Sequence, residues 1–293
     1  VGSVSAWWLA LRPKTLLIAF AVVAVGTGAG ALIQQVDPRI ALLCLLGALL
    51  LQIASNFAND LFDFRKGADT DDRLGPTRAV AAGLLTEGQM MTGLVLVELG
   101  ALGVGIYLST LTSWAILGIG LSGMVAAVLY TAGPYPLGYH GLGDLFVFLF
   151  FGLAAVAGTC FALTGVWSPV AFWLGVPMGS LGAAVLTVNN IRDLDTDALV
   201  GKRTIPVRLG RPASRLYYGL LLVIPYAVLA VMVGLDALAP PVLLALITLP
   251  LALHLFVVVL RRVDGESLNA ALGKTAALLL AFGLLLSVGL LQS

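Results

Sequence analysis

The chain has 293 residues, 60% of them hydrophobic and only 11% charged, with a formal net charge of +1 and a mean hydropathy of +1.03. A water-facing domain carries about a quarter charged residues, so the composition excludes an ordinary soluble fold and turns most of the surface toward lipid. A chain this close to neutral also excludes nucleic acid as a partner.

Crossing a bilayer core takes about 20 mainly apolar residues. Nine such runs follow one another, at 15–35, 40–62, 90–109, 112–131, 142–164, 168–190, 215–235, 238–260 and 270–291. They predict an all-α membrane protein of nine transmembrane helices in a single domain over 1–293. Alternation of polar and apolar residues, the mark of a membrane barrel, is absent. The first run follows Arg12 and Lys14 without a small-residue cleavage site and reads as a retained helix. Gly26-Thr27-Gly28-Ala29-Gly30 within it suits close helix contact in lipid. Pro177, Pro225 and Pro250 fall inside runs and read as kinks. Cys44 and Cys160 lie far apart in apolar runs and read as packing residues.

Basic residues set the orientation. With the N-terminus inside, the inner segments hold Arg12 and Lys14; Arg65, Lys66, Arg73 and Arg78; Arg192, Lys202, Arg203, Arg208, Arg211 and Arg215; and Arg261, Arg262 and Lys274. That is 15 of the 16 Lys and Arg, with Arg39 alone outside. The expected topology is therefore N-terminus cytoplasmic, C-terminus outside. The outer loops are short. The inner loops after the second and sixth runs are polar and about 25 residues long, which points function to the cytoplasmic side.

Those two loops begin with matched polar helix ends. The second run ends in Asn56, Asn59, Asp60, Asp63 and Gly67; the sixth in Asn189, Asn190, Asp193, Asp197 and Gly201. Asn59-Asp63-Gly67 and Asp193-Asp197-Gly201 share one four-residue step, as a duplicated element would. Residues three or four apart share a helical face, so each end presents a patch of carboxylates and amides; Asp195 points elsewhere. Like charges so placed repel, and burying them unpaired is costly. A divalent cation reverses that sign, and Mg²⁺ commonly takes one or two carboxylates together with substrate phosphate oxygens. The expectation is one or two Mg²⁺ ions held by Asn59, Asp60, Asp63, Asn190, Asp193 and Asp197, with a diphosphate between the patches. Arg65, Lys66, Arg78, Arg192, Lys202 and Arg203 would take the remaining phosphate charge. Arg208, Arg211, Arg215, Arg261 and Arg262 read as solvated charges that follow the positive-inside rule.

The loop from Tyr130 to Asp144 is nearly uncharged but holds Tyr130, Tyr135 and Tyr139. These are interfacial aromatics or a wall that stabilises a cation. His140 is a base or an interfacial polar residue. Glu98 and His254, inside spans, are explained by interhelical hydrogen bonding, with a functional role as the alternative for an intramembrane Glu.

At these residues the chain resembles the UbiA superfamily of intramembrane prenyltransferases. The match is carried by Leu11-Arg12-Pro13-Lys14-Thr15; by Asn59-Asp60-x-x-Asp63 with Lys66-Gly67-x-Asp69; by Arg73-Leu74-Gly75-Pro76-x-Arg78; by the Tyr130–Asp144 loop; and by Asn189-Asn190-x-Arg192-Asp193-x-Asp195-x-Asp197 with Gly201-Lys202-Arg203-Thr204. Within the superfamily the pattern is most like the branch whose acceptor is 1,4-dihydroxy-2-naphthoate. The resemblance implies a nine-helix bundle in a bacterial cytoplasmic membrane, with its site on the cytoplasmic side. It implies Mg²⁺-dependent transfer of a polyprenyl group from polyprenyl diphosphate to the naphthoate, with loss of CO₂ to give demethylmenaquinone. Asp60, Asp63, Asp193, Asp197 and Tyr130 would be catalytic, and Asn56 and Tyr139 would bind substrate. Lys14 would pair with the naphthoate carboxylate or anchor the topology. One departure is Gly67, where many members carry a further acid; Asp69 would substitute for it as a metal ligand. The other readings are a superfamily member using 4-hydroxybenzoate, homogentisate or haem, a transporter, and a CDP-alcohol phosphotransferase. Transporter acids lie near the midplane, and the Asp-Gly-x-x-Ala-Arg run of the phosphotransferases is absent.

Overall fold

The computed structural model describes residues 3–68 and 74–293. Asp69 and Arg73, singled out above, lie outside the described residues. The order is α1 (Val4–Leu11), α2 (Pro13–Ala31), α3 (Pro38–Arg65), α4 (Glu87–Leu111), α5 (Trp114–Leu129), α6 (Gly143–Thr164), α7 (Pro169–Arg192), α8 (Leu194–Leu199), α9 (Ile205–Gly234), α10 (Pro240–Arg261) and α11 (Gly265–Leu291). Among the described residues eight helices are long and apolar enough to cross a membrane: α2, α3, α4, α6, α7, α9, α10 and α11. The fourth expected span, α5, is apolar but only 16 residues long, or about 24 Å at 1.5 Å per residue.

Local chemistry explains the helix starts. Side chains of Asp37, Thr86, Ser113, Ser168, Thr204 and Asp264 cap α3, α4, α5, α7, α9 and α11, each meeting an amide that the helix leaves open. Thr86 and Gln89 form a reciprocal capping box. Thr204 and Pro206 start α9 ten residues before the expected run. The long loop foreseen after the sixth run is therefore mostly helical, with Gly210 breaking α9 before Pro212. Pro250 sits in the first turn of α-helix after the 3₁₀ stretch Pro240–Thr248.

α2 lies at the centre, packed on α11, α6, α3 and α7, with a core that includes Val22, Met178, Leu181 and Phe282. A second cluster joins α1 to α3, α4 and the loop at Ala79–Leu85. Inside α6, Phe148–Ala154 widens into a π-helix. It crosses α7 backbone to backbone: a Cβ on Gly152 would lie 2.6 Å from the Gly175 carbonyl oxygen and 2.7 Å from Gly179 Cα. Small residues allow this approach, and the widened turn sets Phe150, Phe151 and Ala154 against the internal cavity.

Candidate active site

The two acidic helix ends terminate in the same way. α3 stops at Lys66; Gly67 takes φ +66°, its N–H donates to Phe64 O, and Ala68 N–H reaches back to Asp63 O at 2.9 Å. α8 stops at Val200; Gly201 takes φ +76°, its N–H donates to Ala198 O, and Lys202 N–H reaches Asp197 O at 2.9 Å. Both are Schellman stops, which favour glycine at the left-handed residue. The repeated Asp-x-x-x-Gly spacing is thus a helix end with an acid in its last turn. That acid stands at the negative end of a helix dipole, so each patch draws cations.

The cations are built in. The Asp63 carboxylate accepts from Arg78 Nη2 at 3.2 Å and from the Tyr139 hydroxyl at 2.8 Å. Lys202 Nζ stands 3.4 Å from Asp63 Oδ1 and 3.7 Å from Asp197 Oδ1. The Schellman turn directs Lys202 back over α8, and the neighbouring Arg203 N–H donates to Tyr139 O at 2.8 Å. Two ammonium groups, Lys66 and Lys202, lie over the Tyr139 ring, each 4.7 Å from its centroid. Partial burial, opposed by Asp63 and reinforced by the like charge of Lys202, holds the Lys66 ammonium below its ordinary value. On α7, Arg192 grips Asp193 with two nitrogens, at 2.7 and 2.5 Å, and also donates to Asn189 and Asn269. Asn269 in turn donates to Leu74 O, tying α11 to the far side of the site.

These groups form the polar mouth of a cavity of about 690 Å³. Lys14, Asn56, Asn59, Asp63, Arg78, Tyr130, Tyr139, Asn190, Arg192, Asp193, Asp197 and Lys202 all line it. Its other arm is apolar, between α3, α4, α5 and α6, and ends near Leu43, Leu108 and Ile116. From Asp63 to Leu43 the lining follows α3 for about 30 Å at the helical rise, the thickness of a bilayer core. Tyr130 packs at the junction of the two arms, its ring against Gly138 and its hydroxyl near Gly143. Its side chain lines the cavity there.

Four expected site residues stand elsewhere. Asp60 is buried but turned from the cavity: its two oxygens accept from Ala79 N–H at 3.0 Å and Val80 N–H at 3.1 Å. Arg65 is drawn to Glu87 at 2.7 Å. Lys66 lies over the Tyr139 ring and does not line the cavity, and Arg203 is exposed beyond the cavity wall. Arg208 does more than mark topology: it donates to Arg203 O and His140 O, stapling the two inner loops. Asp195 pairs with Arg211 on the surface. His140 stacks on Tyr135 and bonds Pro136 O, away from the cavity.

Sequence reasoning passed over Trp8 and Arg12, which also line the mouth. Arg12 takes φ +50° between α1 and α2, a conformation that L-residues seldom hold. Asn56 braces this junction by donating to Leu11 O and Thr15 Oγ1. The signal was the tandem Trp7-Trp8 before Arg12-Pro13, since an apolar octet ending in Arg-Pro marks a short helix and a corner.

The donors facing the mouth are carboxylate and amide oxygens, the chemistry that Mg²⁺ selects. Two carboxylates from different helices already meet on one cationic group, Lys202, so the residues fit such an ion. Among the described residues no three acidic, His or Cys side chains form a ready-made metal cluster. Mg²⁺ commonly completes its shell with water and substrate oxygens.

The sequence profile of the UbiA prenyltransferase family matches residues 17–282. The chain is a member of the UbiA prenyltransferase family. It is an integral membrane protein accordingly. It is 42% identical over 230 residues to the 1,4-dihydroxy-2-naphthoate octaprenyltransferase of Escherichia coli, covering 76% of this chain and 74% of that one. It is 40% identical over 259 residues to the enzyme of the same name from Mycobacterium tuberculosis, covering 87% and 86%. The structure of a UbiA homolog from Archaeoglobus fulgidus bound to GPP and Mg²⁺ superimposes with a TM-score of 0.66 at 17% identity, over 98% of this chain and 100% of that one. That last likeness is one of fold.

Proposed function

We propose that this UbiA-family chain transfers a polyprenyl group from polyprenyl diphosphate to 1,4-dihydroxy-2-naphthoate, with loss of CO₂. The observation that carries this reading is the cavity itself. One end gathers carboxylates and cationic side chains from α3, α7 and α8; the other is an apolar arm, and the two together run about 30 Å along α3. A molecule with a diphosphate head and a long hydrocarbon tail matches both ends. The names of the bacterial relatives supply the acceptor.

Asn59, Asp63, Asn190, Asp193 and Asp197 would hold Mg²⁺ on this reading. When bound, the ion neutralises charge that builds on the departing diphosphate. Arg78, Arg192 and Lys202 hold the outer phosphate oxygens. Tyr139 keeps Asp63 oriented through its hydroxyl bond. The apolar arm fixes the tail and keeps water from the allylic carbon, and the Tyr130 ring faces the charge that develops there. The acceptor approaches from the mouth, where Trp8 offers a ring face and Lys14 a partner for the naphthoate carboxylate. As the allylic C–O bond breaks, a C–C bond forms at the ring carbon that bears the carboxylate; CO₂ leaves and aromaticity returns. Asp60 holds the Ala79–Val80 loop in place, and Asp69 completes the ligand set on the α3 side.

The same reading places the whole chain in one prenyltransferase unit in a bacterial cytoplasmic membrane. α5 makes the ninth crossing, with the N-terminus and the site at the cytoplasmic face and the C-terminus outside. Positive-inside charge supports this orientation.

The test is to supply purified protein with labelled polyprenyl diphosphate and, in turn, the naphthoate, 4-hydroxybenzoate and homogentisate. Prenylated product with CO₂ release from the naphthoate alone, lost in excess EDTA, is expected. Full turnover in EDTA would overturn the Mg²⁺ diphosphate site, and preference for another acceptor would overturn the naphthoate assignment.

A further inference from the structure

Lys202 occupies the position between acids from two helix ends. Its ammonium lies 3.4 Å from Asp63 and 3.7 Å from Asp197, and its side chain is only 14% exposed. Asp63 also pairs with Arg78, and Asp193 is held by both oxygens on Arg192. Among the described residues, Asp63, Asp193 and Asp197 at the mouth are thus each matched by a cation of the chain itself, in an enclosed setting that salt screens weakly.

We infer that Lys202 makes divalent-metal binding and diphosphate binding at this site strongly interdependent, by holding the place of the metal until the diphosphate arrives. The inference rests on the diphosphate site proposed above. A metal ion arriving alone must displace the ammonium from two carboxylates and leave two like charges together in a buried site. Diphosphate arriving alone must draw the cations away and leave carboxylates facing phosphate. Removing one partner from a buried ion pair is strongly unfavourable in either direction. Arriving together, the two ligands exchange partners with the protein: carboxylates go to the metal, and Lys202 goes to a phosphate oxygen. Each carboxylate and the Lys202 ammonium keep a partner of opposite charge before and after. Lys202 reaches both positions because the Schellman turn at Gly201 anchors its backbone over Asp197 while its four-carbon stem swings. Coupling between ligands typically amounts to fivefold to 150-fold and is reciprocal by linkage.

The experiment uses the full chain in nanodiscs, with Mn²⁺ read by electron paramagnetic resonance and inorganic pyrophosphate as the diphosphate probe. The wild type should bind Mn²⁺ weakly alone and at least tenfold more tightly with pyrophosphate, beyond the metal that pyrophosphate binds in solution. Lys202→Met keeps the stem and removes the charge. It should bind Mn²⁺ alone at least tenfold more tightly than the wild type while losing most of the enhancement by pyrophosphate. Lys202→Arg, which retains the charge, should keep the wild-type pattern and serves as the folding control. Unchanged or weaker Mn²⁺ binding in Lys202→Met, with the wild type still coupled, overturns the role given to Lys202. Absence of any pyrophosphate-dependent Mn²⁺ binding in the wild type overturns the diphosphate site itself.

Discussion

Asp60 and Asp63 are three residues apart on α3, both buried, and they meet different partners. Asp63 faces the cavity and is held by Arg78, Tyr139 and Lys202. Asp60 faces the returning loop and accepts two backbone N–H groups. Helical spacing puts both in one patch, and spacing was all that a linear reading could use. It does not say what covers each side of the patch. The consequences of substitution should separate. Asp63→Asn is expected to lower kcat/KM at least a hundredfold per folded molecule in the radiolabel assay. Asp60→Asn is expected to destabilise the fold, since each charge-assisted bond to a backbone amide contributes about 1.5–3 kcal/mol. A thermal scan in detergent that shows no loss for Asp60→Asn would remove its structural role. Tyr139 was foreseen as a binding residue, but its contact with both Lys66 and Lys202 depends on two chain turns that meet in space. Tyr139→Phe keeps that ring and loses the bond to Asp63, so about a tenfold fall in kcat is expected, worth roughly 1.4 kcal/mol; Tyr139→Leu should fall further.

At the scale of elements, the matched acids were legible because a helix end has a local signature. Four residues separate Asp63 from Gly67 and Asp197 from Gly201, and both glycines close Schellman turns. Gly67 therefore stands where it does because α3 ends there. The short helices α1 and α8 were not foreseen: hydropathy windows of membrane length average over pieces of six or eight residues. The π-helix in α6 is likewise invisible in a linear pattern, because it exists to bring Gly152 against Gly175 and Gly179. Gly152→Ala forces a methyl group into backbone that has no room to yield. It should destabilise the chain by about 1–3 kcal/mol and lower the thermal midpoint. It should also weaken turnover, since the same segment places Phe150 and Phe151 on the cavity wall.

The whole molecule separates its charges. The ends of α3, α7 and α10 and the starts of α2, α4, α9 and α11 gather at the polar end, as the bonds Asn269–Leu74 and Arg203–Tyr139 show. At the other end Arg39 is paired with Asp37, the cap of its own helix, so the one exception to the charge rule is locally compensated. The orientation can be read directly. In a background lacking Cys44 and Cys160, an impermeant thiol reagent applied to intact cells should label Asp37→Cys and Val166→Cys, the latter at an exposed loop position, but spare Glu87→Cys; the reverse pattern would invert the topology. The apolar arm sets the room for the tail. Gly120 lines it, and a Cβ there meets nothing within 4 Å. Gly120→Phe should fill that room and shift kcat/KM toward shorter prenyl diphosphates, measured with a series of chain lengths.

Hydropathy, charge distribution and helix-end spacing act over short stretches of chain. By themselves they therefore determined the apolar spans, the polar end of the bundle and the two acid-bearing turns. Three matters were decided only by packing: which way each acid faces, the seating of Lys202 between Asp63 and Asp197, and the bracing of the Arg12 corner by Asn56. Each joins residues far apart in the chain, and their meeting depends on how whole helices cross. A periodic pattern on one helix carries no record of its neighbours.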